Sequence, residues 1–426
     1  MLCFMRNVVH CPPQHESDEE NISMYEIFTV VLAGAGRLLC ATFLASSAFA
    51  YSHDSQSIGW QKASARDAGF SEEALSSIHQ DIEDGRYGYI DSFLVARHGK
   101  LIFEEYYEHD YPSIYGREAT TPGPLVVNDP SGPYNYFNPW WHPYYRNTTL
   151  HSMQSVTKSV VSALVGIAIS RGEFPDLNTP VLKFFDEASV EHVDQSKRAM
   201  TLRDLLTMSD GLLWNENLPY NDPLNSFAVM AQQHNWVQYT LDLPMAREPG
   251  SVFNYNSGAT LILGHIFRIA TGFDIEEYAV KHLFTPLGIA DYYWDRTPFG
   301  LTDTQEGLYI STRSLAKIAQ LFLQEGRWRN EEIIPAAWIQ ESTAPHYATG
   351  AESEEAYGYL WWSHPYTFEE QNLMAYFGKG FGGQRPVFLP ELDLVIVLTG
   401  WNILPEQPFF TAMEAVERVT AALSED

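Results

Sequence analysis

Two pairs of strand-like runs at opposite ends of the chain constrain this sequence more than any other feature. Ser92–Arg97 and Leu101–Tyr107 flank His98-Gly99-Lys100, a short glycine-containing connection that predicts a hairpin. Pro386–Leu389 and Leu394–Thr399 flank a turn, Pro390-Glu391-Leu392-Asp393. Helical patterns fill the space between. Thr201–Met208 runs to Ser209-Asp210-Gly211 and Ala259–Thr271 runs to Gly272, so both glycines are expected as helix C-terminal caps. Ser71 is expected to cap a helix over Glu72–Ile78, and Phe410–Leu423 reads as a closing helix. Strands near both ends with helices between predict an α+β fold rather than alternating βαβ units. The expectation is one antiparallel sheet drawn from both chain ends and flanked by helices, with a mainly helical region inserted over about residues 155–345.

The 426 residues are 45% hydrophobic and 14% aromatic, enough for a large core. Acidic residues outnumber basic ones 54 to 26, and no run rich in lysine or arginine occurs. That argues against nucleic acid and anionic membrane surfaces as partners. The N-terminal segment is different in kind. Ile27–Ala50 is mostly apolar, carries Arg37 as its one charge and closes on Ala48-Phe49-Ala50, the pattern of a cleavable secretory leader. The acidic run Glu16-Ser17-Asp18-Glu19-Glu20 is wrong for the positive start of such a leader. Met24 is therefore the expected start and 24–50 the expected signal peptide. Residues 51–426 are then expected as a single domain, periplasmic or secreted, without stable membrane insertion. An uncleaved leader serving as an anchor is the alternative, against which stands Arg37 in mid-span, where charge is costly. Cys3, Cys11 and Cys40 all fall before Ala50, and a chain left without cysteines suits an oxidising compartment.

Chemistry concentrates at Ser155-Val156-Thr157-Lys158, which leads into the apolar stretch Ser159–Ala168. Residues i and i+3 are neighbours on a helix, so hydroxyl and amine can meet. A helix apolar on nearly every face is buried, and burial favours a neutral amine able to take a proton from serine. The same spacing recurs at Ser314-Leu315-Ala316-Lys317, where Ser314 reads as a helix N-cap and Lys317 as lying on the solvated side. His151, four residues before Ser155, invites a triad, but the sequence offers it no visible acidic partner. A serine nucleophile also needs an oxyanion hole and a proton path. The Ser155 N–H at a helix start is one donor, and Gly378–Gln384 beside the C-terminal strands suits a second, because glycine permits close approach of a ligand. Tyr255, followed at i+2 by Ser257, is a candidate proton relay; Tyr145-Arg146-Asn147 has a similar look. Pro112–Thr149, with its run Trp140-Trp141-His142-Pro143-Tyr144-Tyr145, is expected either to wall a pocket or to pack over a core edge. Gly-x-Ser-x-Gly, His-Glu-x-x-His, His-x-His, cysteine-cluster and phosphate-loop signatures do not occur, so neither metal nor cofactor is expected.

In order along the chain, Ser155-Val156-Thr157-Lys158, Tyr255-Asn256-Ser257 and Gly378-Lys379-Gly380 resemble the motifs of the serine β-lactamase and penicillin-binding superfamily. The resemblance is closest to its class C-like branch, which includes D-alanyl-D-alanine carboxypeptidases, β-lactamase-fold esterases and 6-aminohexanoate-dimer hydrolases. Ile90–Lys100, Leu202–Met208 and Tyr357–Trp362 extend it, from roughly Trp60 to the C-terminus. It implies a β-lactamase-like fold and a serine hydrolase that cleaves a small ester or amide through an acyl-enzyme. By the same resemblance Ser155 is the nucleophile, Lys158 its partner and Tyr255 the general acid/base. The N–H groups of Ser155 and Phe381 form the oxyanion hole, with Ser257, Lys379 and Gly380 beside the substrate. Two positions depart from the pattern. Ser257 stands where many members carry asparagine, and Gly378 where they carry lysine or histidine, with Lys379 one place later. Those positions bind the amide and carboxylate of β-lactams and peptides, so the expected substrate shifts toward an ester or small amide. β-Lactamase or carboxypeptidase activity is the alternative. A second is a non-catalytic member that binds cell-wall fragments or partners through the same cleft.

Overall fold

The computed structural model describes residues 60–423, save 122, 124, 126–134 and 139–141. The expected leader, its three cysteines and Trp140-Trp141 lie outside the described residues. Nine strands form the main sheet: β1 (Gln61–Lys62), β2 (Ile90–Arg97), β3 (Lys100–Tyr106), β4 (Tyr347–Ala348), β5 (Ala356–Tyr357), β6 (Trp362–Phe368), β7 (Gln371–Phe377), β8 (Arg385–Leu389) and β9 (Leu394–Gly400). Across the sheet they run β1-β3-β2-β9-β8-β7-β6-β5-β4. Every neighbouring pair is antiparallel except β1 with β3. The two chain ends meet at β2 and β9, where Val95 faces Ile396 and Leu94 faces Val397.

Local chemistry explains most boundaries. The β2–β3 turn is His98 (φ 52°) and Gly99 (φ 66°), the two positive angles that a tight hairpin matched to strand twist requires. Ser71 Oγ accepts from the Ala74 N–H at 3.2 Å and starts α1 (Glu72–Glu83). The closing helix is shorter than its pattern, Ala412–Thr420, because Thr411 Oγ1 caps it at the Glu414 N–H. Alternation along β9 then sorts the core. Leu394, Ile396 and Leu398 pack with Leu75, Ile78 and Val416 of the two terminal helices. Val395 and Val397 pack on the other face with the long inner helices.

Three of those inner helices matter here: α2 (Val156–Ser170), α3 (Ser257–Thr271) and α4 (Thr312–Leu323). Every residue of α2 from Val156 to Ala168 is buried, as an all-round apolar helix must be. Gly272 (φ 76°) ends α3 as expected, its N–H bonding to Arg268 O. Gly211 does not cap a helix. The helix before it ends at Leu206, and Gly211 (φ 79°) serves a later turn where a Cβ would meet Arg247 O at 2.5 Å. Ser314 and Lys317 also differ from expectation. Ser311 is the cap of α4, accepting from the Ser314 N–H, and Lys317 is 4% exposed with Nζ bonded to Gly288 O at 3.0 Å. The inserted region is not wholly helical. Leu308–Ile310 pairs with His151–Ser152 and with Tyr292–Trp294, runs too short to show a period in sequence.

Gly166 lies in the middle of α2, where a Cβ would meet the Trp338 indole at 2.3 Å. Alanine normally favours a helix over glycine by about 1 kcal/mol, but here the rigid ring must yield. Gly166→Ala is expected to lower unfolding stability by about 1–3 kcal/mol in urea titration. A variant more stable than the parent would refute the close approach.

Candidate active site

The α2 entrance brings together most of the residues that the motifs single out. Ser155 stands at the helix start with helical angles (φ −60°, ψ −10°) and is partly buried. Gln154 before it is held in the left-handed region (φ 49°), a costly conformation for a residue with a side chain. Its Nε2 donates to Ser152 Oγ at 2.9 Å and helps to fix that turn. Lys158 is 1% exposed; its Nζ donates to Ser155 Oγ at 3.0 Å and to the Gln305 carbonyl at 2.9 Å. Hydroxyl and amine therefore meet across a single helical turn.

Tyr255 arrives from the entry to α3. Its ring lies 5.2 Å from Lys158 Nζ and stacks on Trp362 at 6.0 Å. Burial raises the phenol above its ordinary value. The Lys158 ammonium pulls it back, Glu216 pushes it up, and hydrogen bonding with Ser155 and Lys158 lowers it again. Asn256 caps α3 through the Ala259 N–H and donates to Asp210 Oδ1 at 3.1 Å. Ser257 is engaged elsewhere than expected. Its N–H and Oγ both donate to Glu216, at 2.9 and 3.0 Å, and Trp214 Nε1 adds a third bond at 2.7 Å. Burial raises the Glu216 carboxyl and the Lys158 charge opposes that shift. Glu216 carries no sequence signal, because its partner is 41 residues away.

The glycine-rich segment before β8 lies against the start of α2. A Cβ at Gly380 would come within 2.6 Å of the Met153 carbonyl, and one at Gly378 within 3.1 Å of Val156 Cγ2. Glycine is what permits this approach. Among the described residues, neither the Ser155 nor the Phe381 N–H donates to a backbone carbonyl. Lys379 is tied down: Nζ donates to both Glu355 carboxylate oxygens at 2.6 and 2.7 Å and sits 4.1 Å over the Trp362 ring. Phe381 packs edge-on to Tyr136 at 5.2 Å, and Trp401 Nε1 donates to the Tyr136 carbonyl. The described part of the 112–149 segment thus packs over Trp401 and borders the glycine segment, the core-edge role of the two expected.

His151 does have an acidic partner. Its Nε2 lies 2.9 Å from Asp91 Oδ2 and its Nδ1 2.9 Å from Ser152 O, so neither nitrogen is left for Ser155 and the triad reading falls. Tyr145 stacks on Tyr293 at 3.9 Å, in a turn formed by Arg146 and Asn147, and is not part of this cluster. Two further carboxyls, Asp303 and Glu306, bracket Gln305, whose carbonyl accepts from Lys158. Among the described residues no group of His, Cys, Asp and Glu side chains is arranged to hold a metal ion.

A family model described as β-lactamase matches residues 91–417. The chain belongs to the β-lactamase family. This family member is 32% identical over 152 residues to monacolin J acid methylbutanoyltransferase of Aspergillus terreus, a match covering 34% of each chain. It therefore spans about a third of the length of the curated relatives it matches. A proposed 6-aminohexanoate-dimer hydrolase from Bacillus anthracis superposes with a TM-score of 0.58 at 18% identity, over 85% of this chain and 86% of that one. A family VIII carboxylesterase gives 0.58 at 15% identity, over 82% and 96%. At those identities the likeness is one of fold. The family to which the family model assigns the chain comprises β-lactamase-fold hydrolases and acyltransferases. Among the described residues no helix is long and apolar enough to cross a membrane.

Burial, foremost, holds the Asp303 and Glu306 carboxyls well above the ordinary carboxylate range, and the pair resists losing both protons. Carboxyls raised on folding stabilise fully below their unfolded range, about 4, and lose that contribution as pH rises through the folded values. The thermal midpoint is expected to fall between about pH 5 and 9, and Asp303→Asn to flatten that fall. Equal slopes for parent and variant in calorimetry would contradict it.

Proposed function

We propose that this protein is an exported serine hydrolase that cleaves a small ester or amide through an acyl-enzyme on Ser155. The observation that carries the reading is the 3.0 Å contact of Lys158 Nζ with Ser155 Oγ, beside Tyr255. Ser155 Oγ attacks the substrate carbonyl carbon while its proton passes to the Lys158 amine. The resulting oxyanion is received by the N–H groups of Ser155 and Phe381. Collapse expels the alcohol or amine, which takes a proton from Tyr255 or Lys158, and water entering by the reverse path frees Ser155. Residues 51–426 act as one hydrolase domain after removal of the leader, and no metal or cofactor takes part.

The side chains around the site favour esters and small amides over β-lactams. Gly378 supplies no cation, Lys379 is held by Glu355, and the Ser257 hydroxyl is directed to Glu216. A second reading is acyl transfer, with an alcohol in place of water as acceptor of the same acyl group. It is favoured by the 32% identity to a methylbutanoyltransferase.

A fluorophosphonate probe with peptide mass spectrometry, together with a panel of p-nitrophenyl esters and nitrocefin, tests the assignment. Ser155→Ala is expected to lose labelling and turnover. Lys158→Ala should reduce kcat/KM by about a thousandfold or more, and Tyr255→Phe by roughly a hundredfold or more. Undiminished turnover in Lys158→Ala removes the proposed base, and nitrocefin turned over as fast as the best ester reverses the substrate preference. Expressed with its leader, the exported chain is expected to begin at Tyr51; N-terminal sequencing that starts earlier sinks cleavage after Ala50.

A further inference from the structure

The turn that grips Lys158 carries two carboxyls that the reaction above does not use. Asp303 and Glu306, on either side of Gln305, line one small pocket with Gln154, His142, Asp295 and Tyr309. Glu306 Oε2 accepts from the Tyr136 hydroxyl at 3.1 Å, and Asp303 Oδ1 accepts from the Gln305 N–H at 3.0 Å. Gln154 is an independent pointer. It directly precedes Ser155 and is 1% exposed, and its Oε1 has no hydrogen-bond partner among the described residues. A buried orphan acceptor beside carboxyls calls for a donor, and a carboxyl that keeps its proton is one, directly or through a water.

We propose that Asp303 and Glu306 form a shared-proton acid pair that positions and charges the Lys158 amine and thereby governs the pH at which Ser155 is activated. The proposal rests on the Ser155–Lys158 reading above. Two buried carboxyls lining one pocket resist ionising together, so near neutral pH the pair holds one proton and one negative charge. The charge offsets the ammonium formed when Lys158 takes the serine proton. The retained proton supplies a donor for Gln154 Oε1, directly or through a water. Burial favours the neutral form of both carboxyls; Asp295 reinforces this at Asp303, Asp303 does so at Glu306, and Lys158 opposes it at both. Glu216 and the phenols of Tyr136, Tyr220 and Tyr309 also face the pair, with the His142 imidazole across the cavity. Asp303 and Glu306 are positioning residues, since they act through Lys158.

The test is the rate of Ser155 labelling by a fluorophosphonate between about pH 6 and 10 in the full chain, in Glu306→Gln and in Asp303→Asn. Once the pair has lost its shared proton, the parent holds two negative charges beside the ammonium and each amide variant only one. The acid limb of the rate profile is therefore expected to move to lower pH by about half a unit or more, a roughly threefold faster rate at fixed pH on that limb. A merely structural role lowers the labelled fraction and leaves the midpoint in place. Unmoved midpoints, or a shift to higher pH, overturn the proposal. If one variant does not fold, the other decides, because both must shift in the same direction. Failure of the parent chain to label, or labelling retained in Ser155→Ala, refutes instead the dyad on which the proposal stands.

Discussion

The Lys158 amine is 1% exposed and must be enclosed by acceptors, yet α2 supplies only one of them, the Ser155 hydroxyl. A buried amine left without partners costs several kcal/mol. A further acceptor is the Gln305 carbonyl, from a turn 147 residues away, so that turn has to be held in place. Trp294 Nε1 donates to the Asp303 carbonyl at 2.7 Å, and the Leu308 N–H to Thr157 Oγ1 at 3.2 Å. Met153 N–H bonds to Leu308 O at 2.8 Å, which ties the same turn to the residues just before Ser155. The small three-stranded sheet thus clamps the α2 entrance from both sides.

The main sheet completes the entrance from the other direction. Pairing of β2 with β9 unites the two chain ends and sets the position of β8, from which the glycine segment reaches α2. Gly378 and Gly380 bring backbone, not side chains, to the serine. The N–H groups of Gly378 and Gly380 are spent on Pro386 O and Gln384 O, and Gly378 offers no cation. Lys379, one place on, is drawn into an ion pair with Glu355, and Ser257 into the Glu216 carboxylate. The site thereby keeps the Ser155–Lys158 contact while the polar groups of Lys379 and Ser257 are turned to internal partners.

Legibility followed the range of each interaction. The Ser71 cap, the His98-Gly99 turn, the Gly272 cap and the meeting of Ser155 with Lys158 are settled within a few residues, and the sequence carries them. Ser314 and Lys317 show the limit of spelling. The same spacing there gives a buried amine bonded to Gly288, with Ser311 rather than Ser314 as the cap. Asp91 with His151, Glu216 with Ser257 and Glu355 with Lys379 lie 60, 41 and 24 residues apart, and no local pattern announces such pairs.

By itself the sequence determined the α+β order, a sheet built from both ends, an all-round apolar helix behind Ser155, and the three motifs in series. Those features rest on short-range periodicity, capping and turn chemistry, which act before the chain is folded. Only the tertiary structure decided which buried lysine meets a serine hydroxyl, which carboxyls lie near it, and where Ser257 and Lys379 direct their polar groups. Those choices depend on burial and charge contributed by distant segments, which exist as an environment only once the core has closed.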